Sequence, residues 1–176
     1  IDNSDPFAAL AFRFFFVAVG FLLFSLYYKY SIIIKRKNLI ESVLSGILFH
    51  GLYLGGVFYS ISIGMPTSIA ALIVTLQPIL TNILSGPILN EKVTLKQWIG
   101  VLLGFLGATL VLGLDLGSKI PLLGLVATLI ALISITASTI WQKKLSNNLP
   151  LSVSNFYQAI GAVSYTHLRA HETVVY

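Results

Sequence analysis

The chain has 176 residues, 56% hydrophobic and 10% charged, with a formal net charge of +5 and a mean hydropathy of +0.89. An ordinary soluble domain carries about 25% charged residues, so this inventory cannot cover a water-exposed surface. Nucleic acid is excluded as a partner because no basic, aromatic-interleaved polar face exists, and the absence of cysteine excludes disulfides and thiolate metal sites.

The chain opens on Ile1-Asp2-Asn3-Ser4-Asp5-Pro6 without an initiator Met, so a preceding segment is expected and the lack of a visible signal peptide carries no weight. A hydrocarbon layer of about 30 Å needs about 20 apolar residues in a helix. Five runs qualify: Phe7–Tyr28, Ser42–Ile63, Ser68–Leu89, Leu95–Leu114 and Pro121–Trp141. A sixth begins near Pro150. Breakers mark two connections, Gly64-Met65-Pro66 and Gly117 to Pro121. The fold class expected is an all-α, polytopic transmembrane helical bundle.

Basic residues orient these spans. Lys29, Lys35, Arg36 and Lys37 follow the first, Lys92 and Lys96 the third, and Lys143 and Lys144 the fifth. The alternate connections hold only Lys119 among basic residues, together with Asp2, Asp5 and Asp115. The first set is therefore cytoplasmic by the positive-inside rule, and Tyr28, Tyr30, Trp98 and Trp141 fall at the same membrane face, where amphipathic rings prefer to sit.

Residue size then separates lipid-facing from protein-facing surfaces. On the third span Ile69, Leu72, Ile73, Leu76, Ile79, Leu80, Ile83 and Leu84 share one arc, while Ser68, Ala70, Ala71, Thr75, Gln77, Pro78, Thr81, Asn82 and Ser85 occupy the rest. Pro78 leaves the Val74 carbonyl without a helical donor, so a kink is expected there. Gly46, His50, Tyr53, Val57 and Ser60 form a seam on the second span; Gly124, Thr128, Ala131, Ser134, Ser138 and Gln142 form one on the fifth. Gly100, Gly104 and Gly107 on the fourth are expected to permit close helix approach.

Three segments then resemble a known family. Asp5-Pro6 through Arg13-Phe14 resembles the second-helix opening of EamA-type proteins of the drug/metabolite transporter superfamily, with a Pro followed seven residues later by Arg. Ala70-Ala71-Leu72 through Gln77-Pro78-Ile79-Leu80-Thr81 resembles their fourth helix. Asn90-Glu91-Lys92 through Gln97-Trp98-Ile99-Gly100 resembles the acidic loop and fifth-helix start, with Asn90 where Gly is usual. The resemblance covers about residues 5 to 162. It implies a ten-helix permease of two inverted five-helix halves, of which this fragment would hold helices two to six and the start of the seventh. Residues 1–116 would be the first repeat without its first helix and residues 117–162 the start of the second. Pro150 to Gln158 can be laid on Pro6 to Phe14 at an offset of 144, placing Phe156 on Phe12 and Tyr157 on Arg13. The function implied is transport, by alternating access, of a small metabolite, amino-acid-like compound or drug, in the direction of export. Its setting would be a bacterial inner membrane.

Residues 163–176 are expected to be a non-native tail. The string from Val163 to Thr173 places polar and charged groups at mid-membrane depth, and it resembles the translated adapter of a sequencing library. His167 and His171 with Glu172 lack a third spaced ligand, so no metal and no cofactor is expected.

The substrate-binding candidates are Arg13, His50, Tyr53, Gln77 and Gln158. Arg13 lies inside an apolar run, where a charge points to a functional group or to a structural Arg reaching for carbonyls. His50, with Tyr53 one turn on, can contact substrate, relay a proton or bond between helices. Gln77 beside Pro78 either binds substrate or satisfies the kinked backbone. Gln158 and Asn155 are cavity candidates of the second half. Glu91 is expected to pair with Lys92 or Lys96, or to cap the next helix. The partners expected are a small-molecule substrate and the lipid bilayer; proton coupling, exchange, uniport and a homodimer all stay open. A membrane-embedded enzyme would need a nucleophile–base set, and none is visible; a non-transporting scaffold would use the same small-residue seams. Cysteines replacing Lys35 and Lys143 in intact cells should react with an impermeant maleimide only after the cytoplasmic face is opened. Labelling from outside would refute the topology.

Overall fold

The computed structural model describes the backbone of residues 6–112 and 119–173 and the side chains of residues 12–112 and 119–163. Asp2, Asp5, Asp115, Gly117 and the side chains of His167, His171 and Glu172 lie outside the described residues. Every regular element described is a helix: α1 Pro6–Tyr27, α2 Arg36–Gly46, a π-helical segment Ile47–Tyr53, α3 Leu54–Ser62, α4 Thr67–Val74, α5 Gln77–Leu89, α6 Leu95–Leu112, α7 Leu122–Ser146 and α8 Leu151–Thr173. Among the described residues, four helical stretches are long and apolar enough to cross a membrane: Arg36–Ser62, Thr67–Leu89, Leu95–Leu112 and Leu122–Ser146. The first of these joins α2, the π segment and α3; the second joins α4 and α5. The α8 backbone stays helical through Thr173, so the polar run from Val163 does not interrupt it.

Sequence explains the helix ends. After α1, Lys29 takes φ 56° and the Tyr30 amide reaches back to the Ser25 carbonyl at 2.9 Å. After α3, Gly64 takes φ 93° and the Met65 amide reaches the Ser60 carbonyl at 3.0 Å. Both are left-handed terminations that satisfy otherwise orphaned carbonyls. Asn90, closing α5, adopts φ 55° and ψ 33°. That left-handed conformation suits Gly best and Asn next, which accounts for Asn90 standing where the EamA pattern has Gly. The start of α6 is capped by Thr94 and Gln97: the Thr94 amide donates to Gln97 Oε1 at 2.7 Å and the Gln97 amide to Thr94 Oγ1 at 3.4 Å. Thr94 thus caps the start of α6.

The bend expected at Pro78 is a full break, and it lies one step earlier. The Thr75 amide still bonds the Ala71 carbonyl, but the Leu76 amide tightens onto the Ile73 carbonyl at 3.1 Å and the α-helix ends at Val74. A new helix starts at Gln77 with Pro78 in its first turn, where a missing N–H costs nothing. The Thr75 hydroxyl covers the Leu72 carbonyl at 2.7 Å. Pro78 itself is exposed rather than turned inward.

The chain divides into two compact units. In the unit of residues 1–51 and 141–176, α8 packs on α1 and α2. Ser42 faces Ser154 (Oγ–Oγ 3.4 Å) and Gly46 faces Gln158, so α2 and α8 advance together and run parallel. Ser25, near the end of α1, donates to Ser152 at the start of α8 at 2.9 Å, so that pair is antiparallel. Both directions agree with spans that alternate across a bilayer. Contact is closest at Gly46, where a Cβ would collide with the Gln158 carbonyl oxygen and stand 2.7 Å from its Cα. At Gly161 a Cβ would stand 3.1 Å from the Val43 carbonyl oxygen.

In the unit of residues 52–140, Gly56 of α3 meets Ala127 and Ala131 of α7, and Gly124 of α7 meets Ser60 and Met65. The α7 seam read from sequence is present: Gly124, Thr128, Ala131, Ser134 and Ser138 are buried, while Leu122, Val126, Leu129 and Ile133 are exposed. Two expectations fail here. No described residue of α6 is buried, and a Cβ at Gly100, Gly104 or Gly107 would meet nothing within 4 Å; those glycines leave a slender helix face without drawing a neighbour onto it. Leu72, placed on the lipid arc of the third span, is buried, because the break after Val74 ends the regular 100° phase that assigned it there. The α5 residues Ile83 and Leu84 of that arc are exposed as expected.

Replacing Gly46 by Leu should destabilise the protein by about 1–3 kcal/mol, through overpacking against the Gln158 backbone. Gly20→Leu, where a Cβ would meet nothing within 4 Å, should be close to neutral. Reversible unfolding in mixed micelles measures both.

Candidate functional site

Arg13 and His50 belong to the same unit. Arg13 projects from α1 with an exposed side chain, next in sequence to Phe14, whose ring meets His50. His50 lies at the centre of the π-helical segment, whose wider turn departs from the α-helical register on either side. Phe14 is buried and lies tilted against the imidazole, with ring centroids 4.4 Å apart; Phe49 meets it edge-on at 4.7 Å. The two rings hold the imidazole between apolar surfaces. Its Nδ1 is buried and has no hydrogen-bond partner among the described residues. A buried unpaired polar atom costs about 1–3 kcal/mol, and such groups are rare enough in native structures to need an explanation.

Gln158 stands elsewhere in this unit, within the helix-packing seam. It is buried, its Nε2 donates to Ser154 Oγ one turn back at 3.1 Å, and its backbone is the surface that Gly46 approaches. Asn155 accepts from Gln142 Nε2 at 2.6 Å, which ties the end of α7 to α8, and Tyr157 donates its hydroxyl to the Ile32 carbonyl at 2.9 Å.

Tyr53 and Gln77 belong to the other unit. Tyr53 is half-buried at the end of the π segment. Gln77 is half-buried where α5 begins, and its Nε2 donates to Thr139 Oγ1 of α7 at 3.0 Å. It thus bridges two helices at the break instead of filling a backbone vacancy. Further along α5, Asn82 has a buried Nδ2 without a partner. Sequence puts Asn82 on the protein-facing side but gives no reason to single it out. The flanking Phe14 and Phe49 escape sequence reasoning for a plain reason: an aromatic in an apolar span carries no signal of what its ring lies against. The orphaned Nδ1 follows from the π turn, which nothing in the residue pattern announces.

Apolar helical stretches with polar faces are the build of a membrane protein, and comparison with known families agrees. The family model of EamA-like transporters matches residues 1–113. The chain belongs to the EamA-like transporter family. As an EamA-like chain it is an integral membrane protein of helical build. It is 30% identical over 140 residues to YyaM, an uncharacterized transporter of Bacillus subtilis, an alignment covering 73% of this chain and 44% of that protein. Over 106 residues it is 29% identical to YvbV, an uncharacterized transporter of the same organism, covering 60% of this chain and 33% of that one. The chain spans less than half the length of these curated relatives. No solved structure matches it.

The Gln77–Thr139 bond is open to direct measurement. A double-mutant cycle of Gln77→Leu and Thr139→Val should return a coupling of about 0.6 kcal/mol, and not above about 2 kcal/mol, as for other interhelical hydrogen bonds in membranes. A coupling of zero would show that the bond does not hold the break in place.

Proposed function

We propose that the full-length protein is a multi-pass transporter of a bacterial inner membrane that exports small metabolites, amino-acid-like compounds or drugs by alternating access, with Arg13 and His50 at the solute path. The observation that carries this reading is the orphaned His50 nitrogen inside an apolar span, on the same unit as Arg13. Ionisable groups within a membrane span are costly to keep in an apolar bundle and mark substrate paths by default. Family membership and the transporter names of the Bacillus subtilis relatives point the same way. Within the other unit, Tyr53 at the end of the π segment and Gln77 at the broken span are proposed as solute contacts in their own right, since discontinuous helices line solute sites in many transporters. Gln158 serves the packing of α8 in this reading rather than the solute.

Two inverted halves supply the motion. The 144-residue offset gains support from burial: Phe14 and Ala18 on α1 are buried, and so are Gln158 and Ala162, their counterparts on α8. The helices of such a pair run antiparallel, as α1 and α8 do. With an odd number of helices per half, the second half inverts and the two can rock about a shared site.

Vesicles reconstituted with the full-length protein and loaded with a mixture of amino acids, organic acids and cationic drugs should release one class of solute, read by mass spectrometry of the outside medium. Arg13→Met should slow that release at least about tenfold, the equivalent of about 1.4 kcal/mol, while Ser42→Ala should leave it within about twofold. Release no faster than from empty vesicles, for every class tested, would overturn the transport reading in favour of a scaffold.

A further inference from the structure

The connection between α1 and α2 concentrates cations. Lys29, Lys35, Arg36 and Lys37 fall within nine residues and all four are exposed. Among the described residues their one ion pair joins Lys37 to Glu41 at 4.0 Å. Cations alone would serve to orient a span, but here a surface is built around them. Tyr27, Tyr28 and Tyr30 are exposed, and their rings are joined. Tyr28 lies against Phe24 with ring centroids 4.6 Å apart, meets Tyr27 edge-on at 5.2 Å and stacks on Tyr30 at 6.0 Å with planes 17° apart. Between Lys29 and Lys35, Ile33 is 92% exposed. We propose that this connection is a docking surface for anionic phospholipids, with Lys35, Arg36 and Lys37 on the lipid phosphates, the tyrosines at headgroup depth and Ile33 in the acyl boundary.

Charge complementarity selects the occupant. The positive-inside reading puts this connection at the cytoplasmic leaflet, whose anionic headgroups attract basic segments beside a span. The Arg36 guanidinium can hold a phosphate through two parallel N–H donors, and the lysines add point charges on either side. Tyrosine suits the same depth, since its ring is apolar and its hydroxyl bonds headgroup oxygens. A single exposed isoleucine is ordinary on a protein surface. Ile33 is informative through its place, because the end of a span between cations is where an apolar side chain meets lipid on one side and headgroups on the other. The segment is also held in shape before any lipid arrives. The Tyr30 amide bonds the Ser25 carbonyl at 2.9 Å, the Ser31 hydroxyl donates to the Ile33 carbonyl at 3.1 Å, and Tyr157 of α8 donates to the Ile32 carbonyl at 2.9 Å. Little ordering is left to offset the attraction. The connection between α5 and α6 supplies an internal contrast: Lys92 and Lys96 are exposed there, but Glu91 adjoins them and no tyrosine does.

Photo-crosslinking tests the surface directly. Full-length protein is placed in nanodiscs of phosphatidylcholine with a trace of phosphatidylglycerol bearing a photoreactive headgroup, and a phosphatidylcholine probe with the same group serves as the neutral reference. Peptide mass spectrometry should map the phosphatidylglycerol crosslinks to residues 27–37, at least about fivefold above the neutral probe, with displacement by unlabelled phosphatidylglycerol and a decline as salt is added. Changing Lys35, Arg36 and Lys37 together to Gln should lower that yield at least about tenfold. Ile33→Ser should lower it at least about twofold without altering its salt dependence. Lys92→Gln with Lys96→Gln should leave it within about twofold. Equal labelling by the two probes, equal labelling of the connection that holds Lys92 and Lys96, or an undiminished yield in a folded triple variant would each overturn the proposal. If the triple variant does not insert, the contrast between the probes in the wild type decides. Glycerol 3-phosphate forms the final arm: displacement of the lipid probe by this soluble anion at millimolar concentration would show a free phosphate ligand and refute a lipid surface.

Discussion

Lipid gives no reward for hiding one leucine behind another, because the acyl chains are as apolar as the side chain. Helices in this protein are therefore held by close approach and by hydroxyl contacts, and its distribution of residues inverts that of a water-soluble fold. Ser25, Ser42, Ser45, Ser60, Thr128, Ser138 and Ser154 are all at or below 1% exposed, and Ser152 is at 7%. Leu110, Val111, Leu122 and Ile33 are more than three-quarters exposed. Hydroxyls bury at little cost because each can bond locally: Thr128, Thr136 and Thr139 return their hydrogens to carbonyls one turn back on α7 at 2.8 Å. Once locally satisfied, they act as small, smooth residues that let backbones meet.

That rule gives the two sites of irregular helix their meaning. A transmembrane segment must satisfy its own backbone, so a break or a π turn persists only where neighbouring groups take up the freed carbonyls or a cavity or ligand does so. At Thr75–Leu76 the need is met twice over: the Thr75 hydroxyl covers the Leu72 carbonyl, and the tightened turn sets the Leu76 amide on the Ile73 carbonyl. Gln77 then bonds outward to Thr139. At Ile47–Tyr53 the helix takes the wider π turn, and the Nδ1 of His50 is buried without a partner among the described residues.

Much of the fold is legible in the sequence because membrane constraints write themselves into composition. Apolar run lengths locate the spans, and alternating loop charge gives their directions, with which the Ser42–Ser154 and Ser25–Ser152 registers agree. The α7 seam is legible for the same reason, since small and hydroxyl residues at helical spacing have nowhere else to point. The α6 glycines mislead because a small-residue stripe permits contact without compelling it. Leu72 misleads because periodicity assumes an unbroken helix. Arg13 and His50 stand out singly as polar groups in apolar runs, whereas the contact of Phe14 with His50 depends on how α1 lies against the π segment, a tertiary fact no local pattern holds.

Serine-lined contacts set α8 against α1 and α2 within the membrane. The chain has no cysteine of its own, so a pair can be introduced without background. Ser25 and Ser152, whose hydroxyl oxygens are 2.9 Å apart, should form a disulfide under mild oxidation when both are changed to Cys in the membrane-embedded full-length protein. Ser25→Cys combined with Leu151→Cys, at an exposed position, should not. A Ser25–Ser152 pair that stays reduced while the Leu151 pair cross-links would contradict the register, and with it the hydroxyl-lined packing of α8 on α1.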